Sequence, residues 1–281
     1  MQQQTFESNN RKLVFTPIVP DAFGTLFRES MNSFIKVLWL PAGYELSVDF
    51  QRYTTRRDSL FFINSHQHIE PISASGEAGV LLCYNRDFYC IQIHDAEVAC
   101  DGLLFNNLNG MPLTEIPNPM QPRIRALLRD MEQEFAQTDT VGEEMLRTYL
   151  KQLIIHATRM WKDQRLPATL VAAQPELEFF RQFSMLVEKH FREKHSVSEY
   201  APLLNLAAKT LSNKLRRLNL PQPNEVIKDR IMLEAKRLLI YTPMSAKEIA
   251  YDLGYDDPAY FNRLFVRKTG NTPTAFRKSY A

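Results

Sequence analysis

The chain has 281 residues, of which 44% are hydrophobic and 23% are charged, and this composition excludes a disordered or fibrous protein. The length favours two domains over one compact core. No segment approaches the roughly 18 consecutive apolar residues of a membrane span, and no secretory signal opens the chain, so we expect a cytoplasmic protein without a membrane partner.

Charge is divided unevenly along the chain. Residues 1–174 contain 16 Lys and Arg against 20 Asp and Glu, a net charge of −4, whereas residues 175–281 contain 18 against 12, a net charge of +6. Localised positive charge is the expected footprint of a nucleic-acid partner, because phosphate contacts supply much of the affinity for DNA. A solvated basic surface is the alternative explanation on charge alone.

The first half predicts an antiparallel β-sandwich or β-barrel. From Leu13 to about Asn107, short apolar runs are separated by Pro, Gly, Asn and Asp, and this rhythm is typical of strands joined by turns. Seven aromatic residues of this half could line a ligand cavity, but a core position explains each of them more simply. They are Trp39, Tyr44, Phe50, Tyr53, Tyr84, Phe88 and Tyr89. The predicted strands include SFIKVLWL, YELSVDF, SLFFI, GVLLCYN and FYCIQIH.

Three cysteines, Cys83, Cys90 and Cys100, lie close together in this half. Their odd number and the absence of a C-x-x-C pair argue against both a disulfide scaffold and a zinc site. We therefore expect reduced, mostly buried thiols and no cofactor.

Two helices follow in the region from Pro119 to Arg165. Apolar residues repeat at helical spacing from Ile124 to Phe135, and a wider apolar stripe runs from Met145 to Trp161. These stripes are expected to pack against the preceding sheet, against a second copy of the chain, or against both. The segment from Asp163 to Glu178 loses the periodicity and contains two prolines, so we place an interdomain linker there.

Two segments of the C-terminal third resemble each other. They are SVSEYAPLLNLAAKTLSNKLRRL, which begins at Ser196, and SAKEIAYDLGYDDPAYFNRLFVRK, which begins at Ser245. Each opens with a serine suited to helix capping and has a glutamate three residues later, which completes a capping box. Asn205 and Gly254 stand where a sharp turn requires the left-handed conformation that Asn and Gly adopt most readily. Each segment therefore predicts a helix-turn-helix unit.

The second helix of each unit has one apolar and one polar face. Leu211 and Leu215, and in the second copy Phe261 and Phe265, are four residues apart and predict the buried face. Arg and Asn can each form two hydrogen bonds to a base, and Ser, Thr and small side chains can contact base edges. The polar face therefore fits a recognition helix in the major groove. A solvated helical hairpin explains one isolated copy more simply, but two copies favour DNA binding.

The candidate DNA-binding residues belong to these second helices. Asn213 and Arg263 are expected to read bases, because each lies midway between two buried residues of its helix and points away from the core. Lys214, Arg217 and Lys268 are expected to hold phosphates. The complete set is Lys209, Thr210, Ser212, Asn213, Lys214, Arg216, Arg217, Ala259, Tyr260, Asn262, Arg263, Arg267 and Lys268.

A long helix, predicted from about Asn224 to Tyr241, separates the two copies. At 1.5 Å per residue it spans roughly 27 Å, comparable with the spacing of about 34 Å between successive major-groove faces. One rigid helix can therefore hold both units on one side of a duplex.

Residues 175–281 resemble the DNA-binding domain of the AraC/XylS family of transcription regulators. The most specific stretch, EAKRLLIYTPMSAKEIAYDLGYDDPAYFNRLFVRKTGNTPTAFRK, follows the family's order of long helix, second helix-turn-helix, Gly-x-x-Pro and closing helix. Gly270 is expected to end the second recognition helix, and Thr272 and Pro273 to start the last helix. One departure is Leu220, where the family often has glycine, so Asn219 is expected to provide the left-handed cap.

The resemblance implies an α+β protein of two domains. The N-terminal domain would be a cupin-like antiparallel β-barrel or sandwich with linker helices, and the C-terminal domain would be all-α, with two helix-turn-helix units joined by a long helix. A cupin-like sensor domain is expected over residues 1–118, linker helices that dimerise over 119–174, and the tandem helix-turn-helix DNA-binding domain over 175–281. No metal is expected, because Glu70 follows His66 and His68 too closely for the metal-binding cupin pattern.

The resemblance also implies a sequence-specific regulator of transcription, such as an activator, that is not an enzyme. Its expected partners are double-stranded DNA, a small-molecule effector and a second copy of the chain, with RNA polymerase as a further candidate. One alternative is a cupin-type metal-dependent enzyme or a DNA-repair methyltransferase fused to the same DNA-binding domain, which needs a metal cluster or an activated cysteine. Another is an architectural protein that binds DNA without sequence preference.

Overall fold

A computed structural model describes residues 3–27, 33–65, 67–89, 104–105, 113–137, 141–165, 174–218 and 220–280. The chain divides into two compact units, Met1–Ala172 and Ala173–Ala281, which we call the N-terminal and C-terminal units. The predicted linker, residues 163–178, is helical at both of its ends, and residues 166–173 between them lie outside the described residues.

The N-terminal unit contains two antiparallel sheets. A six-stranded sheet has the order β1-β2-β8-β3-β6-β9, and a three-stranded sheet has the order β5-β4-β7. The sandwich alternative is the one observed, since the described strands form no closed barrel. The strands are β1 Gln4–Ser8, β2 Arg11–Ile18, β3 Ile35–Leu40, β4 Tyr44–Val48, β5 Gln51–Thr54, β6 Ser59–Ile63, β7 Ile69–Ala74, β8 Gly79–Tyr84 and β9 Leu113–Glu115.

An apolar cluster fills the space between the two sheets. It combines residues of the large sheet, such as Leu38 and Phe61, with Leu46 and Val48 of the small sheet. Strands β3, β6 and β8 are buried along their whole length, because both faces of the large sheet are covered. Apart from the buried Lys36 and Ser59, their sequences are correspondingly apolar runs rather than alternating ones.

Two helices cover the other face of the large sheet: α1, Gln121–Glu134, and α2, Gly142–Arg165. Leu150 and Ile154 of α2 are fully buried in one apolar cluster with both tryptophans, Trp39 of β3 and Trp161 of α2. The apolar stripe of α2 therefore packs against the preceding sheet, the first of the predicted arrangements.

The predicted strands agree with the structure for four of the five runs. In the fifth, FYCIQIH, Phe88 lies in a turn and Tyr89 follows it, while residues 90–94 lie outside the described residues. Six of the seven aromatic residues predicted to lie in the core are buried, and Phe50 is half-buried. The buried residues are Trp39, Tyr44, Tyr53, Tyr84, Phe88 and Tyr89.

Cys83 is a buried free thiol, and burial raises its pKa to about 12. Cys90, Cys100 and His66 lie outside the described residues. Within the described ranges, no group of His, Cys, Asp and Glu side chains is placed to hold a metal ion. None of the helices in those ranges has the length and apolar character that crossing a membrane requires.

The C-terminal unit is all-helical over the residues described. The helices of the C-terminal unit and the antiparallel sheets of the N-terminal unit together confirm the α+β class. The helices are α3 Gln174–His190, α4 Val197–Tyr200, α5 Ala208–Arg217, α6 Pro223–Tyr241, α7 Ala246–Asp252, α8 Pro258–Thr269 and α9 Pro273–Lys278.

Candidate nucleic-acid interface

The first helix-turn-helix unit begins at Ser196, as the capping pattern predicts. The Glu199 carboxylate accepts hydrogen bonds from the backbone N–H groups of Ser196 at 2.9 Å and His195 at 3.1 Å. Helix α4 ends after one turn, and a 3-10 turn over Ala201–Leu204 continues the chain. Asn205 then adopts the left-handed conformation, with φ 56°, and turns the chain toward α5.

The second unit repeats this arrangement at Ser245. The Ser245 hydroxyl accepts a hydrogen bond from the Glu248 N–H at 3.2 Å, and the Glu248 carboxylate accepts one from the Ser245 N–H at 2.7 Å. Gly254 adopts φ 78°, and a Cβ at this position would overlap the backbone carbonyl oxygen of Arg192. Glycine is therefore required here both by conformation and by space.

Helix α5 buries Leu211 and Leu215 completely. Its predicted DNA-binding residues differ in their surroundings. The Ser212 hydroxyl donates to the Ala208 carbonyl at 3.0 Å, and the Lys214 amine lies 3.9 Å from the ring centroid of Phe179. Both side chains are half-buried, whereas the remaining five predicted residues are exposed: Lys209, Thr210, Asn213, Arg216 and Arg217.

Helix α8 is the corresponding second helix of the second unit. Its buried face is formed by Phe261, Leu264 and Phe265. Asp257 caps its first turn by accepting a hydrogen bond from the Ala259 N–H at 2.8 Å, a role that the sequence pattern did not single out. The opposite face exposes Ala259, Tyr260, Asn262, Arg263 and Arg267.

Lys268 is placed differently from the other candidates on α8. Its amine pairs with the carboxylates of Glu225 and, at 2.8 Å, Asp229, both on α6. The hydrogen bond from Lys268 lowers the pKa of Glu225. Burial acts to lower the pKa of Lys268, but the hydrogen bonds to Asp229 and Glu225 outweigh it and raise that pKa. The structure therefore shows Lys268 joining α8 to α6.

Helix α6 connects the two helix-turn-helix units, and contacts with other helices anchor it along its length. Its 19 residues correspond closely to the prediction. The buried guanidinium of Arg230 donates to Glu188 of α3 at 2.6 and 2.9 Å and to Glu234 at 3.0 Å. At the other end, Arg277 of α9 donates to the Leu239 carbonyl at 2.6 Å. The long helix is thus packed into the unit on several sides.

The last two helices end and begin where the sequence predicts. Gly270 terminates α8 in the left-handed conformation, with φ 78°, and the Thr272 hydroxyl accepts a hydrogen bond from the Ala275 N–H at 3.2 Å. Asn219, the expected cap after α5, lies outside the described residues. The Leu220 N–H donates to the Leu215 carbonyl at 3.0 Å, which closes the end of α5.

Comparisons with known proteins give matches over the C-terminal unit and over the whole chain. Residues 200–279 match the family described as a helix-turn-helix domain. RhaS of Escherichia coli (strain K12 / DH10B), an HTH-type transcriptional activator, is 22% identical over 278 residues, which cover 97% of this chain and 94% of RhaS. Histidine kinase P4 of Formosa agariphila is 26% identical over 99 residues, and the match spans 7% of that kinase. The structure of ToxT from Vibrio cholerae is 13% identical, with a TM-score of 0.43 over 98% of this chain and 96% of ToxT.

The residues that match the helix-turn-helix family contain both second helices. The matched range starts at the end of α4 and runs into the residue after α9, so it includes both left-handed turns, the long helix and the two exposed polar faces. RhaS is similar over nearly its full length as well. The C-terminal unit therefore contains a helix-turn-helix domain, and the similarity to RhaS over nearly the whole chain supports a DNA-binding transcription regulator that resembles the AraC/XylS family.

Proposed function

We propose that the chain controls transcription by placing α5 and α8 in successive major grooves on one side of a duplex. The observation that carries this proposal is the long helix α6, whose 19 residues span about 28 Å at 1.5 Å per residue, close to the groove repeat of about 34 Å. Each of these two helices buries its apolar face and exposes a polar one, with Lys, Thr, Asn and Arg side chains on α5 and Tyr, Asn and Arg side chains on α8.

We propose that Asn213 and Arg263 read bases. Both are exposed at the middle of their helices, and the Arg263 guanidinium is 69% exposed, with Asp257 3.6 Å away. Asn and Arg are the residues best suited to bidentate recognition of adenine and guanine. The remaining exposed candidates, which carry hydroxyls, amides or positive charge, would contact neighbouring base edges and phosphates: Lys209, Thr210, Arg216, Arg217, Ala259, Tyr260, Asn262 and Arg267.

Three of the predicted DNA-binding residues are proposed to have a smaller part in contacting DNA than the others. Ser212, Lys214 and Lys268 each contact another part of the protein. An amine held by carboxylates or by a ring must give up those contacts before it binds a phosphate. We therefore propose that Lys214 and Lys268 act mainly by positioning α5 and α8, and that Ser212 lies at the margin of the interface.

We also propose a division of labour along the chain. Residues 1–118 would sense a small molecule, residues 119–174 would contribute to a homodimer, and residues 175–281 would bind DNA. RNA polymerase and a cytoplasmic location belong to the same proposal. Since α2 uses its apolar stripe on the sheet, a dimer would form through the outer face of α2, which exposes Met145, Gln152 and Arg159.

The methyltransferase alternative receives no support from Cys83. Its thiol is buried, and a pKa raised to about 12 keeps it protonated at neutral pH, whereas a nucleophilic cysteine needs an accessible thiolate. No observation on the described residues favours an enzymatic activity.

The proposal is tested by selecting duplexes from a random-sequence library with the full chain. We expect enrichment of one sequence that contains two recognised elements about one helical turn apart, with an affinity that falls as salt concentration rises. Asn213→Ala and Arg263→Ala should each relax the preference in a different element. Enrichment of no sequence, or equal binding to all duplexes, would instead indicate an architectural DNA-binding protein.

A further inference from the structure

The segment between α3 and α4, residues 191–196, contacts both helix-turn-helix units, and we call it the 191–196 loop. Two hydrogen bonds tie it to the first unit. The His195 N–H donates to the Glu199 carboxylate at 3.1 Å, and the Tyr200 hydroxyl donates to the Lys194 carbonyl at 3.1 Å. The loop is therefore fixed to the start of the unit that presents α5.

The same loop contacts the second unit at three places. The Arg192 guanidinium pairs with Asp252, the last residue of α7. The Arg192 carbonyl lies against Gly254, where a Cβ would overlap it. The His195 ring stacks on Tyr255, with ring centroids 4.4 Å apart and an angle of 21° between the planes. All three contacts fall within Asp252–Tyr255, at the end of α7 and in the turn that leads into α8.

Arg192 also contacts the long helix. Its second terminal nitrogen donates to Glu234 of α6 at 2.8 Å, so one guanidinium joins the loop, α6 and α7. A planar guanidinium can hold two carboxylates in fixed directions, which a lysine amine cannot do equally well. The loop thus contacts both the connecting helix α6 and the residues that lead from α7 into α8.

A connecting helix fixes the distance between two units but by itself leaves each of them free to rotate about its own end. In this protein Lys268 already restrains α8 against α6 at Glu225 and Asp229. A second attachment, away from the axis of that helix, removes this rotation. The 191–196 loop provides such an attachment, because it is bonded to the first unit and packed against the turn of the second. Rotation of α8 relative to α5 changes which spacing between two DNA elements both helices can reach at once.

We infer that the 191–196 loop sets the orientation of α8 relative to α5 and thereby determines the element spacing that the protein accepts on DNA. The inference rests on the proposed function, in which both helices bind one duplex. Arg192 and His195 are positioning residues in this arrangement, since they act through the second unit and have no assigned contact with DNA.

The test uses the full chain and the duplex that it selects from a random library. Derivatives of this duplex contain either element alone, or both elements with one base pair inserted or removed between them. The variants are Asp252→Asn and Arg192→Lys, alone and combined with His195→Ala. Asp256→Asn is the control, because it removes the same charge from an exposed residue of the same turn.

We expect Asp252→Asn to bind the original duplex about two- to fivefold more weakly, the range expected for one partly exposed ion pair. Binding to a single element should match that of the unchanged protein, and the penalty for altered spacing should shrink. Arg192→Lys should have the same effect, and the combination with His195→Ala a larger one. Asp256→Asn should leave the spacing preference unchanged.

The outcomes separate the inference from the function on which it rests. If the unchanged chain selects no duplex, the proposed function fails and the inference fails with it. If a duplex is selected but all variants retain the original spacing preference, only the inference is wrong. A loss of binding that is equal on single-element and two-element duplexes also overturns it, because that pattern shows a damaged helix-turn-helix unit rather than a changed orientation.

Discussion

Positive side chains on the recognition helices fall into two groups that the residue type alone does not distinguish. Arg263 is 69% exposed, whereas Lys268 is 20% exposed and joined to two carboxylates of α6. Lys268 must break or rearrange two close ion pairs before it contacts a phosphate, whereas Arg263 has a longer, exposed contact of 3.6 Å to Asp257. Contacts within the protein therefore decide which of the charges are available to DNA.

Arg263→Ala should weaken binding to the selected duplex by about 1–3 kcal/mol and relax the preference at one base pair, because a bidentate contact to guanine is lost. Binding isotherms on matched and singly mismatched duplexes measure this. Equal losses on every duplex would show that Arg263 contacts only the backbone.

Arg267→Ala and Lys268→Ala form a matched pair of neighbouring substitutions. We expect Arg267→Ala to flatten the salt dependence of binding by about one counterion. Lys268→Ala should leave that slope nearly unchanged and instead lower the free energy of unfolding, because α8 loses its attachment to Glu225 and Asp229. Isotherms across a salt series, together with thermal melting, measure both effects. A flatter slope for Lys268→Ala alone would restore it as the main phosphate contact.

At the scale of elements, the two helix-turn-helix units share a design but differ in the residue at their turns. Asn205 occupies the left-handed position in the first unit and Gly254 in the second. The second turn packs against a backbone carbonyl at this position, so a side chain is excluded there, whereas the first turn accommodates the side chain of Asn205. The choice of residue follows from what lies beside the turn.

Gly254→Ala and Gly270→Ala separate conformation from crowding. Both glycines have φ 78°, but Gly270 has open space where a Cβ would be placed. Gly270→Ala should cost about 1 kcal/mol of stability, the conformational penalty alone, and Gly254→Ala about 2–5 kcal/mol, because overpacking is added. Chemical unfolding followed by circular dichroism measures the difference. Equal losses would show that the loop around Arg192 moves aside without cost.

At the scale of the whole molecule, the N-terminal and C-terminal units should each fold when expressed alone. Residues 173–281 contain both recognition helices and the long helix between them. Expressed alone, this fragment should fold as a helical domain and bind the selected duplex, whereas residues 1–172 should not bind it. A fragment that binds no DNA at low salt, while the full chain does, would show that the DNA-binding unit is not self-contained.

We expect the full chain to form a dimer and the isolated C-terminal unit to remain a monomer. Sedimentation should give about twice the chain mass of 32.7 kDa for the full chain and a monomer for residues 173–281. Leu150 and Ile154 are unsuitable sites for testing a dimer, because both are fully buried under the sheet and a charge there would disrupt the fold. A monomeric full chain at all accessible concentrations would remove the dimer from the proposed function.

The sequence predicted the C-terminal helices better than the N-terminal strands because helix termini are encoded locally. Ser245 and Gly270 act on neighbours within four residues. Strands β1 and β5, with sequences QTFES and QRYT, have few apolar residues and were not predicted, since they are sheet edges that depend on distant partners. The role of Lys268 was missed for the same reason, because Glu225 and Asp229 lie 43 and 39 residues away in the chain.

Both tryptophans of the chain belong to the N-terminal unit, where Trp39 and Trp161 share one apolar cluster. Tryptophan emission therefore reports on the N-terminal unit alone, and unfolding of the DNA-binding unit by itself should not change that emission. Added DNA contacts a unit that contains no tryptophan. A change in emission on adding the duplex would thus be a direct optical record of a signal that has passed from the DNA-binding unit into the N-terminal unit.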